Sequence, residues 1–281
     1  MTCKRTLVLF TLLISLNSFC QDIKVMSYNI RLDVASDGEN RWDNRKEFLA
    51  QQVMFYEPDF MGVQEALPTQ MAYLLLYLNN QYDAIGVGRE DGKAEGEYSA
   101  IFYNSKKYKV VQQSTFWLSE TPDLPSMGWD AACKRICTYG LFENIITKQK
   151  IWVFNTHFDH VGTIARAESA ELILKKINEL NTQNYPFVLT GDFNLEPDSE
   201  PINEIKKVLN DSKDIAELTF GPIGTFNGFE FNKPVTRRID YIFTTPTGIT
   251  VVKYAVLSDS KDCRYPSDHL PVYAEIEITE P

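Results

Sequence analysis

The sequence predicts an α/β fold built on large mixed β-sheets with helices packed outside. Three observations point there. From residue 23 onward short β-type runs alternate with amphipathic stretches, strands outnumber helices, and several neighbouring strands are joined by links of hairpin length. A parallel sheet of simple βαβ units fits less well, because each parallel pair needs a long crossover. No Pro/Gly/Ser-rich linker, charge block or repeat interrupts the pattern, so 21–281 reads as one domain.

Residues 23–30 form the first strand candidate. A helix is expected over 43–56, where Leu49, Val53 and Tyr56 fall at i, i+4 and i+7 and Pro58 stops it. Residues 60–64 are a buried strand running into Glu65. Pro68 opens a second helix through Leu78, since proline is tolerated in the first turn. Strands follow over 99–103, 109–118, 135–146 and 151–157. Ile173, Ile177 and Leu180 share a face of a helix over 163–180, and 187–190 is a strand before Gly191-Asp192. The last third holds β runs over 238–243, 250–257 and 272–278.

At the N-terminus Lys4 and Arg5 precede an apolar run over 6–16, with Ser18 and Cys20 as small residues before Gln21. This pattern is that of an export signal occupying 1–20, and the run is too short to span a membrane, which takes about 20 residues. The expectation is an exported protein, periplasmic or extracellular, with no transmembrane segment and a monomeric state. A lipid anchor on Cys20 is the alternative, although Phe19 is bulky for such a cleavage site. Beyond the leader remain Cys133, Cys137 and Cys263, an odd number with no CxxC pair, so neither a disulfide framework nor a zinc site is indicated. Cys133 and Cys137 either pair or stay as strand thiols.

The formal net charge is −10, and loss of Lys4 and Arg5 makes it more acidic. Such a chain lacks the basic face that nonspecific grip on long polyanions requires. Polar and ionisable residues instead gather at the ends of apolar strands, where a rigid scaffold can present reacting groups at one rim. They are Asn29, Glu65, His157, the pair Asp192 and Asn194, and the pair Asp268 and His269; Asp240 adds an acid inside the apolar run Ile239-Asp240-Tyr241-Ile242. An acid there needs a cationic or hydrogen-bonding partner, and histidine is the natural one. Each motif alone has an ordinary structural reading, Gly191-Asp192-Phe193-Asn194 being a common turn sequence. All 3 histidines, however, fall in these segments.

Glu65, Asp192, Asn194 and Asp268 are hard oxygen donors, which suits Mg²⁺ or Mn²⁺ rather than zinc. Two histidines, one oriented by an acid, supply a general base and a donor to a charged oxygen. A divalent metal, carboxylates and histidine together are what attack of water on a phosphoester requires.

At this point the chain resembles the endonuclease/exonuclease/phosphatase superfamily, a group of metal-dependent hydrolases that includes pancreatic deoxyribonuclease, deadenylases, neutral sphingomyelinases and inositol polyphosphate 5-phosphatases. The resemblance covers about residues 23–278 and rests on Asn29-Ile30-Arg31, Gln64-Glu65, Asn155-Thr156-His157, Gly191-Asp192-Phe193-Asn194, Arg238-Ile239-Asp240-Tyr241 and Ser267-Asp268-His269, in the family's order. It implies a four-layer sandwich of two mixed β-sheets flanked by helices, with the site at the rim of the sheets. It implies Glu65 as principal metal ligand and Asn29 holding it or the phosphate. Asp192 and Asn194 would position water and phosphoryl oxygens, or a second metal, and Asp268 would support the metal site. Asp240 would orient His269 as base, and His157 would donate to a phosphate oxygen. Abasic-site endonucleases carry an acid at the place of Arg31 and a Tyr at the place of His157, so abasic repair is not expected here.

Other segments are candidates for a substrate pocket: 41–45, 88–92, 96–98, 116–120 and 157–166. Arg31, His160, Arg166 and Trp117 are the substrate-binding candidates. Trp42 and Trp117 either stack on a base or sugar or pack in the core. Arg166 either reaches a phosphate or makes a surface ion pair, and Glu97 either faces the pocket or caps a strand. The expected activity is phosphodiester hydrolysis of a nuclease kind. The alternatives are a phosphatase or phosphodiesterase for small phosphorylated molecules, such as nucleotides, sugar phosphates or lipid headgroups, and a catalytically silent binding module.

Overall fold

In the computed structural model, residues 22–279 are described. The expected leader at 1–20 lies outside them. The elements are β1 (Ile23–Asn29), α1 (Trp42–Tyr56), β2 (Phe60–Ala66), α2 (Pro68–Tyr77), β3 (Tyr82–Ile85), β4 (Tyr98–Asn104), β5 (Tyr108–Trp117), β6 (Ile136–Asn144) and β7 (Lys150–His157). They continue with α3 (Thr163–Leu180), β8 (Phe187–Asp192), α4 (Glu200–Lys206), β9 (Asn210–Asp211), α5 (Ser212–Ile215), β10 (Leu218–Phe220), β11 (Asp240–Thr244), β12 (Ile249–Val256) and β13 (Val272–Ile278). A short 3₁₀ segment, Ala35–Asn40, precedes α1. Among the described residues no helix is long and apolar enough to cross a membrane.

Two sheets form, a seven-stranded one in the order β10-β12-β13-β1-β2-β4-β3 and a six-stranded one in the order β5-β6-β7-β8-β11-β9. Each has a parallel pair at its centre, β1 with β2 and β7 with β8, flanked by antiparallel neighbours, and the edge strand β10 runs parallel to β12. Three apolar clusters account for the layering. Val25, Phe60, Ile101, Val153, Val188 and Ile242 lie between the sheets. Met26, Tyr28, Met61 and Val63 pack with Leu49, Val53 and Leu74 of α1 and α2. Trp152, Phe154 and Leu189 pack with Ile173 and Ile177 of α3. Successive residues of a strand point to opposite faces, and both faces are covered here. The central strands are therefore near-continuous apolar runs, as the expected four-layer sandwich requires.

That alternation also places the site. Val25 and Ser27 point into the gap between the sheets, and the next inward position is Asn29. By the same count Ile151, Val153 and Asn155 lead to His157, Val188 and Thr190 lead to Asp192, and Ile242 leads back to Asp240. These four polar residues thus occupy the mouth of the inter-sheet core. Directly behind them a polar layer joins the sheets: Asn155 donates to Val63 O and Ala100 O at 2.9 Å, and its Oδ1 accepts from Gln64 at 2.7 Å and Thr190 at 3.0 Å. Gly62 permits this approach, since a Cβ there would stand 2.1 Å from Thr190 Oγ1.

Two details differ from the sequence reading, and the thiols follow its unpaired alternative. Asp240 opens β11 rather than lying inside a strand. Asp268 and His269 precede β13 instead of closing a strand; because β13 runs antiparallel to β1, its start reaches the same rim as Asn29. Cys133, Cys137 and Cys263 are free thiols.

Candidate active site

Asn29 is the hub. Its side-chain amide donates to Glu65 Oε1 at 3.0 Å and to Asp192 Oδ2 at 2.9 Å, while its Oδ1 accepts the backbone N–H of Arg31 at 3.0 Å. One residue on β1 therefore ties β2 to β8 across the two sheets. The backbone around it is strained: Arg31, Glu65 and Asn194 all have positive φ, at 55°, 64° and 51°. This region costs a non-glycine residue roughly 1–2 kcal/mol, and such strain persists where neighbours over-determine it. Here Leu32 N donates to Glu65 Oε2 at 3.0 Å and Asn194 N donates to Asp192 Oδ1 at 2.9 Å. The buried Arg45 guanidinium adds bonds to the carbonyls of Ile30, Arg31 and Pro266. Arg45 thereby joins the end of β1 to the loop that carries Asp268 and His269, and Ser267 Oγ adds a bond to Asn29 O at 2.7 Å.

His269 Nδ1 donates to Asp240 Oδ2 at 2.9 Å, and its Nε2 faces Asp192 Oδ2 at 3.7 Å. Thr225 completes the pair by donating its hydroxyl to Asp240 Oδ2 and accepting the N–H groups of Ile239 and Asp240. Burial opposes a charge on His269, but the carboxylates of Asp240 and Asp192 outweigh it and raise its pKa. Burial, and next the Asp240 carboxylate, raise the pKa of Asp192. His157 behaves oppositely. Burial, with Arg135 and Arg89 nearby, holds its pKa well below the ordinary imidazole value. Asn194 Nδ2 donates to Phe158 O at 3.0 Å and reaches His157 Nε2 at 3.1 Å, so a neutral imidazole accepts there. The two environments thus push the imidazole pKa values in opposite directions.

The acidic group closes around Arg31, whose guanidinium bonds Asp37 at 2.9 Å and spans Glu65 at 3.9 Å and Asp268 at 3.7 Å. Glu65, Asp268 and Asp192 offer oxygen atoms without a thiolate, in a pocket whose negative charge Arg31 and His269 only partly offset. This donor set fits a hard divalent cation such as Mg²⁺ or Mn²⁺. Asn194, also expected among the ligands, lies on the His157 side. Asp192, Asp240 and His269 carry potential ligand atoms within 4.8 Å of one another, but the His269–Asp240 bond reads better as a relay. A second such group, Cys133, Asp159 and His160, has a saturated centre. Asp159 accepts from Val161, Gly162 and Ala132 backbone N–H groups and lies 3.5 Å from Arg135 Nε.

Of the substrate-binding candidates, Arg31 and His160 stand at the rim. Arg135 donates to His160 Nδ1 at 3.0 Å, which leaves the proton on Nε2. Arg166 donates to Asp159 O at 3.2 Å and braces the 159–162 turn. Trp117 is buried and donates its indole N–H to Arg89 O at 2.8 Å, so it supports the Arg89 loop and presents no free face for stacking. Trp42 is likewise buried in the α1 layer. Sequence reasoning missed Thr225 and Arg135, which lie in no motif, and it placed Arg45 in a pocket segment, whereas Arg45 braces backbone carbonyls behind the rim; Arg135, just before β6, reaches the rim because Cys137 pairs with Thr156.

A buried Asp–His pair beside a carboxylate cluster, at the mouth of a two-sheet sandwich, is hydrolase architecture. The family model described as "Endonuclease/Exonuclease/phosphatase family" matches residues 26–269, and the chain belongs to that family, whose members are phosphoester hydrolases. A Bacteroides thetaiotaomicron protein of the same family superposes with a TM-score of 0.89 at 40% identity, over 93% of this chain and 99% of that one. A mannosyl-6-phosphatase of B. thetaiotaomicron VPI-5482 gives 0.86 at 41% identity, over 90% and 99%. The CCR4-Not 3'-5'-exoribonuclease subunit Ccr4 of Mycosarcoma maydis is 21% identical over 92% of this chain and 51% of its own length. The chain spans 60%, 51% and 37% of the lengths of three curated relatives.

Proposed function

We propose that this chain is an exported, Mg²⁺- or Mn²⁺-dependent phosphomonoesterase acting on a small sugar phosphate. The observation that carries the hydrolytic reading is the Thr225–Asp240–His269 relay with its Nε2 directed at Asp192, beside the Glu65 and Asp268 carboxylates. In this reading His269 takes the proton of the attacking water and Asp240 stabilises the imidazolium that results. Asn29 and Asn194 hold Asp192 and the transferring oxygens, and neutral His157 lines the phosphate side. A bound divalent cation would neutralise phosphate charge and acidify the water.

Preference for a monoester over the phosphodiester of the sequence reading has two supports. The formal net charge of −10 disfavours long polyanions. The likeness to the mannosyl-6-phosphatase extends over nearly the whole of both chains at 41% identity, against 21% for the exoribonuclease subunit.

The test is phosphate release from mannose 6-phosphate and p-nitrophenyl phosphate, against turnover of bis-p-nitrophenyl phosphate and of single-stranded RNA and DNA. Monoester turnover, lost with EDTA and restored by Mg²⁺ or Mn²⁺, is expected. Faster turnover of the diesters would return the nuclease reading, and inactivity with every metal and substrate would refute both. Export is checked by N-terminal sequencing of the mature protein, expected to begin at Gln21; a blocked, lipidated Cys20 would replace that with a membrane anchor.

A further inference from the structure

Between β3 and β4 the chain forms a braced loop that no catalytic role above uses. Arg89 N donates to Glu97 O at 3.0 Å and Glu90 N to Glu95 O at 3.0 Å. Asp91 Oδ1 accepts from Lys93 N at 2.8 Å and Glu95 N at 2.9 Å, and Gly88 bridges to Tyr98. From outside, Trp117 clamps Arg89 O, and Lys134 donates to Glu90 O at 2.8 Å. The loop is therefore rigid, and it displays one side-chain pair. Arg89 holds Glu97 through two bonds, at 2.8 Å to Oε2 and 2.7 Å to Oε1, with side chains only 15% and 14% exposed.

The pair stands beside the reacting centre. Glu97 immediately precedes Tyr98, which pairs with Ala66, and Ala66 directly follows Glu65. Neighbouring strands run about 4.8 Å apart, so Glu97 and Glu65 share one rim. On the far side of the pair stand Arg135 and His160, whose Nε2 carries a proton.

The chemistry of this wall is mixed. A guanidinium offers donors only, and a carboxylate accepts only; a bidentate pair fixes both at one spacing. A second phosphate, as in a polynucleotide, wants donors alone and is repelled by Glu97 and the neighbouring Glu90. A hydroxyl both donates and accepts, and adjacent hydroxyls match a donor set next to an acceptor set. We propose that Arg89 and Glu97 are the specificity-determining pair of this site, reading adjacent hydroxyls on the leaving group of a phosphomonoester and so selecting polyhydroxylated phosphates over aryl phosphates. This inference rests on the monoesterase reading above.

The test compares kcat/KM for mannose 6-phosphate and for p-nitrophenyl phosphate in the Mg²⁺-loaded wild type and in Glu97→Gln. The ratio of the two is expected to fall by at least ~10-fold in the variant, the scale on which a site built to bond a hydroxyl discriminates. Both rates come from one sample, so the ratio is insensitive to the fraction folded. In the wild type, one or more of the 2-, 3- and 4-deoxy analogues should lose a similar factor, and Glu97→Gln should no longer distinguish that analogue from the parent sugar. An unchanged ratio, or a wild type indifferent to every deoxy analogue, overturns the inference and leaves the monoesterase reading intact. Failure of the wild type to hydrolyse either monoester overturns that reading first, and this inference with it.

Discussion

Replacing Asp240 by asparagine removes one charge and almost no volume, which makes it the sharpest probe of the relay. Asp240 is inaccessible, and its Oδ2 takes both the His269 Nδ1–H at 2.9 Å and the Thr225 hydroxyl. A hydrogen bond to a charged group contributes about 1.5–3 kcal/mol and a neutral one about 0.5–1.5 kcal/mol, so the exchange forfeits roughly 1–2 kcal/mol. The amide N–H₂ then has two positions. Facing His269, it meets a donor and forces the imidazole to carry its proton on Nε2, where the base must be empty. Facing away, it occupies the place of Oδ1, a buried atom with no hydrogen-bond partner among the described residues, and an unmet buried donor costs about 1–3 kcal/mol. Loss of the charge that stabilises the forming imidazolium, with the cost of keeping the productive tautomer, raises the barrier by about 2–5 kcal/mol, or ~30- to ~5000-fold in kcat. The assay is steady-state phosphate release at saturating Mg²⁺ for Asp240→Asn, His269→Ala and the double variant. Residues acting as one unit are strongly non-additive, so the double variant should be no slower than His269→Ala. A single variant within threefold of wild type, or a double variant whose loss is the product of the two, would refute the relay.

Three further outcomes follow from the same geometry. Gly62→Ala should destabilise the protein by about 3 kcal/mol or prevent folding, because its Cβ would meet Thr190 Oγ1 and Asn155 Oδ1 in the layer joining the sheets; urea denaturation reads this, and a midpoint like wild type would contradict the close packing. Arg45→Lys should cut kcat by ~10-fold or more while far-ultraviolet circular dichroism stays native, since a single ammonium cannot reproduce the fork on the Ile30, Arg31 and Pro266 carbonyls; unchanged kcat would show that the 266–269 loop positions itself. Burial alone would raise the pKa of Asp159, but backbone N–H groups and Arg135 bring it down to about 2. A depressed carboxyl contributes stability that is present above its unfolded value near ~3.9 and lost as pH falls toward the folded one, here on the order of 2 kcal/mol. Asp159→Asn should therefore be less stable at pH 7, by chemical denaturation, with the gap closing between pH ~4 and ~2; a gap independent of pH would sink this account.

The apolar alternation of the central strands and the polar residue closing each were legible in one dimension, because strand periodicity and residue chemistry are local properties. So were α1 and α3, whose buried positions recur at helical spacing. The four-residue β3, the two-residue β9 and the exposed β10 were not, since short edge elements carry no pattern long enough to register. The relay was half legible: an acid among isoleucines demanded a partner and the resemblance named His269, 29 residues away, but only the fold adds Thr225 as its third member.

What the amino-acid order determined by itself was a set of reactive groups and the strand ends that carry them. The tertiary structure decided their states and company. It put Asn29 between Glu65 and Asp192, a contact of sequence separation 163. It made one imidazole cation-stabilising and the other neutral by giving the first two carboxylates and the second two guanidinium groups. It turned Trp117 from a stacking surface into a brace. Charge, protonation and hydrogen bonding depend on distance through space in a medium of low polarity, and that distance exists only once the two sheets have closed on each other.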